Sequence, residues 1–478
     1  MKAQVQVLSV DERAQVHERS LNLLATTGVR VLSERGRMIL NNAGADVNED
    51  SHLVHFPRTL IEEALRLAPR KFRLGSRRPG WDLEMNNGKC YLLADGGAVS
   101  VLDRVSGDLR SGTFADWFVA THLIDAMDEI GVYWNMIQGD YRSDSPGDYV
   151  SYWRNLLNNC SKHIQDSTDS IKKSKLLLEI LQISFGSIDT IRQTHPFSQL
   201  LCPMSPLVID EQYTDAYLET IDYNIPVAIM PMPLMGATGP ASLISTLLIA
   251  NSEMLAMLCL VESAAPGTPV LYAPIPQAVE PHTWRYTGGA VENAIFGAAV
   301  TEMGRYYGLP VEGSTGGSDH FYPGVQASYE RAINWTLPTL AWPDILVGPG
   351  LLGGSTILCI EQMVLDVEIF RRCARLHDGI DAGSEKWLEN SIMNAGHGGN
   401  FLNQKSTLKA IREGSWYLSQ IGFHDTYEKW IAGGMPDVID EIQDTVKRIL
   451  KDYQPLPLEP QADRELECLE LKVRELDN

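Results

Sequence analysis

PVAIMPMPLMGATGPASLISTLLIANSEMLAMLCLVESAAPGTPVLYAP, residues 226–274, carries a strand, a helix and a second strand in one stretch. The apolar run at 226–230 is closed by prolines. Thr238 followed by Gly239-Pro240 can cap and start a helix, and Ala241 to Ala264 is apolar with few interruptions. The run PVLYAP then repeats the first pattern. Continuous apolar strands separated by helices belong to a parallel sheet covered on both faces. Asn251, Ser252 and Glu253 interrupt the apolar stretch, so it reads as a buried helix and not as a membrane span.

Working outward, the same beat recurs eight times. Before it come YLLADGG (91–97), VYWNMIQGD (132–140), HIQDSTD (163–169) and FSQLLCPMS (197–205). PVAIMPMPLMG (226–236) and PVLYAPIPQ (269–277) are the pair above, and PVEGSTGG (310–317) and DILVGPG (344–350) follow. The spacing leaves room for one crossover helix each time. Eight such units predict an α/β fold, a closed (β/α)8 TIM barrel over residues 90–380. An open doubly wound sheet is the structural rival. It usually carries a dinucleotide turn, and neither G-x-G-x-x-G after the first strand nor a Walker A sequence is present. Residues 1–89 read as an N-terminal helical extension, with Leu23 to Leu74 as a helical pair and a strand. Residues 381–478 read as a C-terminal helical cap, with the acidic tail after Pro455 as an exposed helix or frayed end.

The bulk properties fit that picture. The 478 residues carry a formal net charge of −21, with 44% hydrophobic and 21% charged residues. An acidic chain disfavours nucleic acid and anionic membranes as partners. The N-terminus has no signal-peptide core, and the seven cysteines form no C-x-x-C pair, so a cytoplasmic protein with reduced thiols is expected.

In a barrel the site lies at the C-terminal ends of the strands. No H-x-H or H-E-x-x-H offers a metal, no strand ends in a Schiff-base lysine, and no G-x-S-x-G offers a nucleophile elbow. What remains is a mouth rich in aromatics, methionine and glycine. Such a mouth in an acidic protein suits a quaternary ammonium, whose diffuse charge binds ring faces.

Several stretches resemble one family. PMPLMGATGPASLISTLLIANSEMLA (231–256), PGTPVLYAP (266–274), RYYGLPVEG (305–313), LVGPGLLGGSTILCIEQMVLDVEIFRR (346–372) and GHGGNFLNQKSTLKAIREGSW (396–416) look like the trimethylamine methyltransferases. The resemblance implies the barrel. It also implies methyl transfer from a methylamine to the cobalt of a corrinoid (cobalamin) carried by a separate small protein. On that reading the chain holds no cofactor and no metal of its own, and it forms a homo-oligomer with the C-terminal helices in the interface.

One departure decides the substrate class. In the trimethylamine enzymes the last-strand turn, of the form G-x-G-x-L, is followed by pyrrolysine. Here the neighbourhood is Gly350-Leu351-Leu352-Gly353-Gly354, with Gly353 or Gly354 nearest the missing residue. The chain therefore resembles the branch without pyrrolysine, which acts on quaternary amines such as glycine betaine, proline betaine and carnitine. No general base is expected, and the glycines are expected to leave room for the larger substrate. For the ammonium the candidate rings are Tyr272, Trp284, Tyr286 and Phe321, with Asp95 or Glu312 as the nearby charge. For a betaine carboxylate the candidates are His320, then Arg285, then the amides around 353–354. Two other functions stay open at this point: a barrel lyase or hydrolase acting alone, and a betaine-binding or regulatory protein without catalysis.

Overall fold

A computed structural model describes residues 2–103, 106–139 and 145–477. Among the described residues, eight short parallel strands form one sheet: β1 (Tyr91–Leu93), β2 (Ile130–Tyr133), β3 (His163–Asp166), β4 (Phe197–Leu201), β5 (Val227–Ile229), β6 (Val270–Tyr272), β7 (Glu312–Ser314) and β8 (Ile345–Val347). Each pairs with its neighbours in sequence, and β8 pairs back onto β1. A parallel bridge between Tyr272 and Val311 joins β6 to β7, so the sheet closes. Seven of the eight strands lie within the apolar runs read from the sequence, and β2 begins at Ile130, two residues before the run at 132–140.

The crossover helices are α1 (Phe114–Ala126), α2 (Pro146–Asn159), α3 (Ile171–Phe185), α4 (Gln212–Leu218), α5 (Leu243–Ala264), α6 (Val291–Tyr307), α7 (Val325–Ala341) and α8 (Ile360–Asp378). Local chemistry starts several of them. Thr113 and Asp116 form a capping box at α1, and Ser145 caps α2 with Pro146 in its first turn. α5 is apolar on nearly every face because it is covered on nearly every face. Its inner side lies on the barrel, while the helices Val10–Thr26, Glu34–Asn42 and Arg58–Leu67 pack over its outer side.

The N-terminal part is not purely helical. Val29–Val31, Asp46–Asn48 and Leu53–His55 make a small sheet that Val208–Ile209, from the loop after β4, joins in parallel. The hairpin of Arg73–Leu74 and Leu83–Glu84 sends Leu74 and Leu83 into the interior cluster with Leu93, Val132 and Ile345, filling the lumen from below.

The acidic tail is also packed. Residues Pro460–Asp477 form a helix lying against α2. Ala462, Leu466, Leu469 and Val473 recur at helical spacing and are buried. Arg154 to Asp463 and Arg474 to Asp148, at 2.8 and 2.7 Å, fasten its two ends. Its many acids had disguised a four-residue apolar stripe. By contrast, the short helices Glu389–Ala395, Lys405–Arg412 and Tyr427–Ala432 bury no residue in this chain.

Candidate functional site

Alternation along the strands decides which side chains enter the lumen. Leu93, Val132, Leu200, Ala228, Leu271 and Ile345 point inward and form the interior core. Their neighbours Leu92, Tyr133, Leu201, Val227, Tyr272 and Leu346 point outward to the helices. In β7 this phase places Glu312 inside, where Gln165 of β3 reaches across and donates to both its oxygens at 3.1 Å. Leu93 and Ala228, inward residues of β1 and β5, complete that layer of four. Glu312 is wholly buried, and burial pushes its carboxyl up to about 8.

Two residues further along the strands, about 6 Å higher, lies the layer that holds Asp95 and Met230. Asp95 is only partly buried. One of its oxygens accepts from its neighbour's amide, Gly96, at 2.9 Å, and the other accepts from the Ser355 hydroxyl at 2.9 Å. Burial raises its carboxyl above the ordinary range, against the pull of Arg331, Ser355 and Gly96. The indole of Trp134 lies against Gly96, so closely that a Cβ there would stand 2.7 Å from the ring. Trp134 and Gly97 also line a hollow of about 340 Å³ between the ends of β1, β2 and β3. Asn135, Gln138, Asp166 and Lys173 line it too.

Tyr286 closes the other side. Its hydroxyl accepts from Gln277 Nε2 at 3.2 Å, and burial, followed by the charge of Asp95, raises its pKa. Its ring stands beside the turn after β8. Gly353 and Gly354 adopt φ of 56° and 63°, which glycine takes without strain. Their amides donate to His320 O and Ser318 O, each at 2.9 Å. Below the turn, Arg331 of α7 donates to the carbonyls of Gly348 and Leu351 and lies 3.5 Å from Asp366 of α8. Asp366 in turn accepts from Gly350 N at 2.8 Å.

The structure thus brings Asp95 and Tyr286 together at the mouth, with Phe321 beside Gly353. Glu312 lies one layer beneath. Tyr272 is misplaced as a mouth residue: it occupies an outward position, its hydroxyl donates to Asn251 of α5 at 2.8 Å, and its ring packs beside Tyr307. Trp284 stands 66% exposed on the rim, beside Gly236, outside the enclosed part of the site. His320 sits on the rim loop with Nδ1 2.7 Å from Tyr322 O, and Arg285 is exposed. The amides of Gly353 and Gly354 are already used, so they are not anion donors. Nor do these glycines leave an empty space. A Cβ on Gly354 would stand 3.4 Å from the Tyr286 ring, and one on Gly353 would stand 3.1 Å from the Phe321 ring. Aromatic rings occupy the ground beside the turn.

Trp134, Gln165 and Ser355 were not singled out from the sequence. The first two are inward by strand phase alone, and Ser355 follows the glycines directly.

Known proteins of similar sequence point one way. A family model described as trimethylamine methyltransferase matches residues 1–473. The chain is 28% identical to trimethylamine methyltransferase MttB of Desulfitobacterium hafniense, over 94% of this chain and 90% of that one. It is 25% identical to a glycine betaine methyltransferase of Desulfitobacterium hafniense, over 97% and 96% of the two chains. A solved monomethylamine methyltransferase of Methanosarcina barkeri aligns over 97% of this chain and 92% of that one, at 13% identity and a TM-score of 0.47. Since the family model spans the N-terminal helices, all eight strands and the C-terminal helices alike, the chain belongs to the trimethylamine methyltransferase family.

Proposed function

We propose that this methyltransferase moves a methyl group from a quaternary amine to the Co(I) of a corrinoid held by a partner protein. Glycine betaine, or a related betaine such as proline betaine or carnitine, is the intended donor. The observation that carries this reading is Asp95, a half-open carboxylate at the barrel mouth with Tyr286 close by and the Trp134 indole against its neighbour Gly96. A carboxylate with aromatic rings nearby matches a cation that cannot donate a hydrogen bond. The name of the glycine betaine relative supports the same substrate class.

The chemistry asks little of the protein. Co(I) attacks one N-methyl carbon with its electron pair, the N–C bond breaks, and its pair stays on nitrogen as a neutral tertiary amine. No proton moves, so no general base is needed. A trialkylamine would expel an amide anion unless it were first protonated or otherwise activated. The chain's own work is to hold the ammonium against Asp95, aim one methyl outward and keep water away. The corrinoid protein docks over the strand C-termini, and the cobalt enters from outside. Methylation of reduced corrinoid protein by a panel of quaternary amines tests the proposal.

Glu312 adds a pH dependence. It carries its proton below about 8 and loses it above, placing a second negative charge one layer under the cation. Glycine betaine is therefore expected to bind more tightly at pH 9 than at pH 7, by calorimetric titration. Glu312→Gln should remove that gain while leaving the pH 7 affinity nearly unchanged. A wild type with the same affinity at both pH values would contradict the placement.

A further inference from the structure

We propose that Ser355 is a positioning residue that aims the Asp95 carboxylate into the mouth and holds it in its charged form. The inference rests on the reading that Asp95 faces the substrate cation.

Residues 353–355 make a run of left-handed backbone, with φ of 56°, 63° and 61°. Glycine fills the first two positions, as such a conformation favours. The third carries a side chain at a conformational cost that glycine would avoid, and such residues gather where a site demands them. Here the demand is visible. The Ser355 hydroxyl donates to Asp95 Oδ2 at 2.9 Å, while Gly96 N holds Oδ1 at 2.9 Å. Tyr286 also stands close to Ser355. The turn that presents Ser355 is pinned at Gly353 and Gly354 by the loop after β7, and from below by Arg331. A rigid support, a strained residue and a single hydroxyl therefore converge on one carboxylate oxygen.

A donated hydrogen bond favours the ionised carboxylate. The other charged or titratable groups facing Asp95 are Arg331 from α7, which also favours the anion, Asp366 from α8, which opposes it, and Tyr286 from the loop after β6. Removing the Ser355 hydroxyl leaves Arg331 and Asp366 in place, while Tyr286 also loses its influence.

The experiment uses Ser355→Ala, which keeps the strained backbone and loses the hydroxyl, and Ser355→Gly, which loses both. Tetramethylammonium chloride serves as the probe, because it has the cation without a carboxylate. Both variants are expected to bind it about tenfold more weakly at pH 7. The acid limb of binding should move up by about one pH unit, since an Asp95 without this donor protonates more readily. The Asp95 midpoint, followed by carboxyl 13C resonance in the protein alone, should move the same way. An unmoved midpoint in Ser355→Ala would overturn the inference. So would a normal midpoint and affinity in Ser355→Gly, which would assign the effect to the backbone. A wild type that binds no tetramethylammonium sinks the cation reading instead, and the 13C midpoint then decides the role of Ser355 by itself.

Discussion

Asp95→Asn is expected to lower the methyl-transfer efficiency with a quaternary amine at least thirtyfold. Asparagine keeps the shape of the side chain, and its oxygen can still accept from Ser355 or Gly96. The charge is lost, and with it one of the two hydrogen bonds that the carboxylate accepts. Removing one member of a largely desolvated charge pair costs about 2–5 kcal/mol, and the partial opening of Asp95 to solvent places it at the low end. The deeper carboxylate makes the comparison informative. Glu312 carries a proton at pH 7 because burial pushes it up to about 8, so Glu312→Gln should cost far less under the same conditions. If the two substitutions had equal effects, or if Glu312→Gln were the more severe, the cation would sit in the lumen below Asp95. Initial rates across substrate concentrations, measured for both variants at pH 7, settle the order.

The second large effect concerns stability. Arg331 and Asp366 are both wholly buried, 3.5 Å apart. Arg331 ties down the carbonyls of Gly348 and Leu351, and Asp366 holds Gly350 N and accepts from Gln362. Burial raises the Asp366 carboxyl to about 6 even with the guanidinium beside it. Arg331→Met removes the compensating charge and leaves an acid with nowhere to put its own. Breaking a buried pair in this way costs about 3–5 kcal/mol. Urea unfolding should therefore show a loss of that size, and adding Asp366→Asn should recover part of it, because the penalty comes from the stranded charge. A single substitution within about 0.5 kcal/mol of wild type would mean that the pair does not hold the turn.

Much of the fold was legible in the sequence because barrel strands are apolar on both faces. The runs at 91–97 and 344–350 stand out for that reason, and α1, α2 and α3 start at side-chain caps, whereas α5 begins at Leu243, after the Thr238-Gly239-Pro240 signal. The same property hid the site. When both faces are apolar, composition does not say which residues look inward, and Tyr272 passes for a lumen residue as easily as Ala273. Strand phase resolves this only once register is known, which is why Tyr272 was misplaced and Trp134 and Gln165 were overlooked. The acidic tail failed for a related reason: its charges outnumber the stripe of Ala462, Leu466, Leu469 and Val473 that buries it against α2. The glycine turn was the most informative stretch. It follows the last strand directly, and aromatic rings stand beside it. The rings of Tyr286 and Phe321 stand where room for substrate was expected, and the residue that matters chemically is the one just after the glycines.

The proposed methyl donor is a quaternary amine and the proposed acceptor is cobalt. Both are tested by mixing the purified chain with a reduced corrinoid protein and a panel of glycine betaine, proline betaine, carnitine and trimethylamine, while following the conversion of Co(I) to methyl-Co(III) by absorbance. The account predicts methylation with at least one of the three betaines and none with trimethylamine. Methylation by trimethylamine alone, or by no quaternary amine with a corrinoid protein known to accept methyl groups, would contradict it.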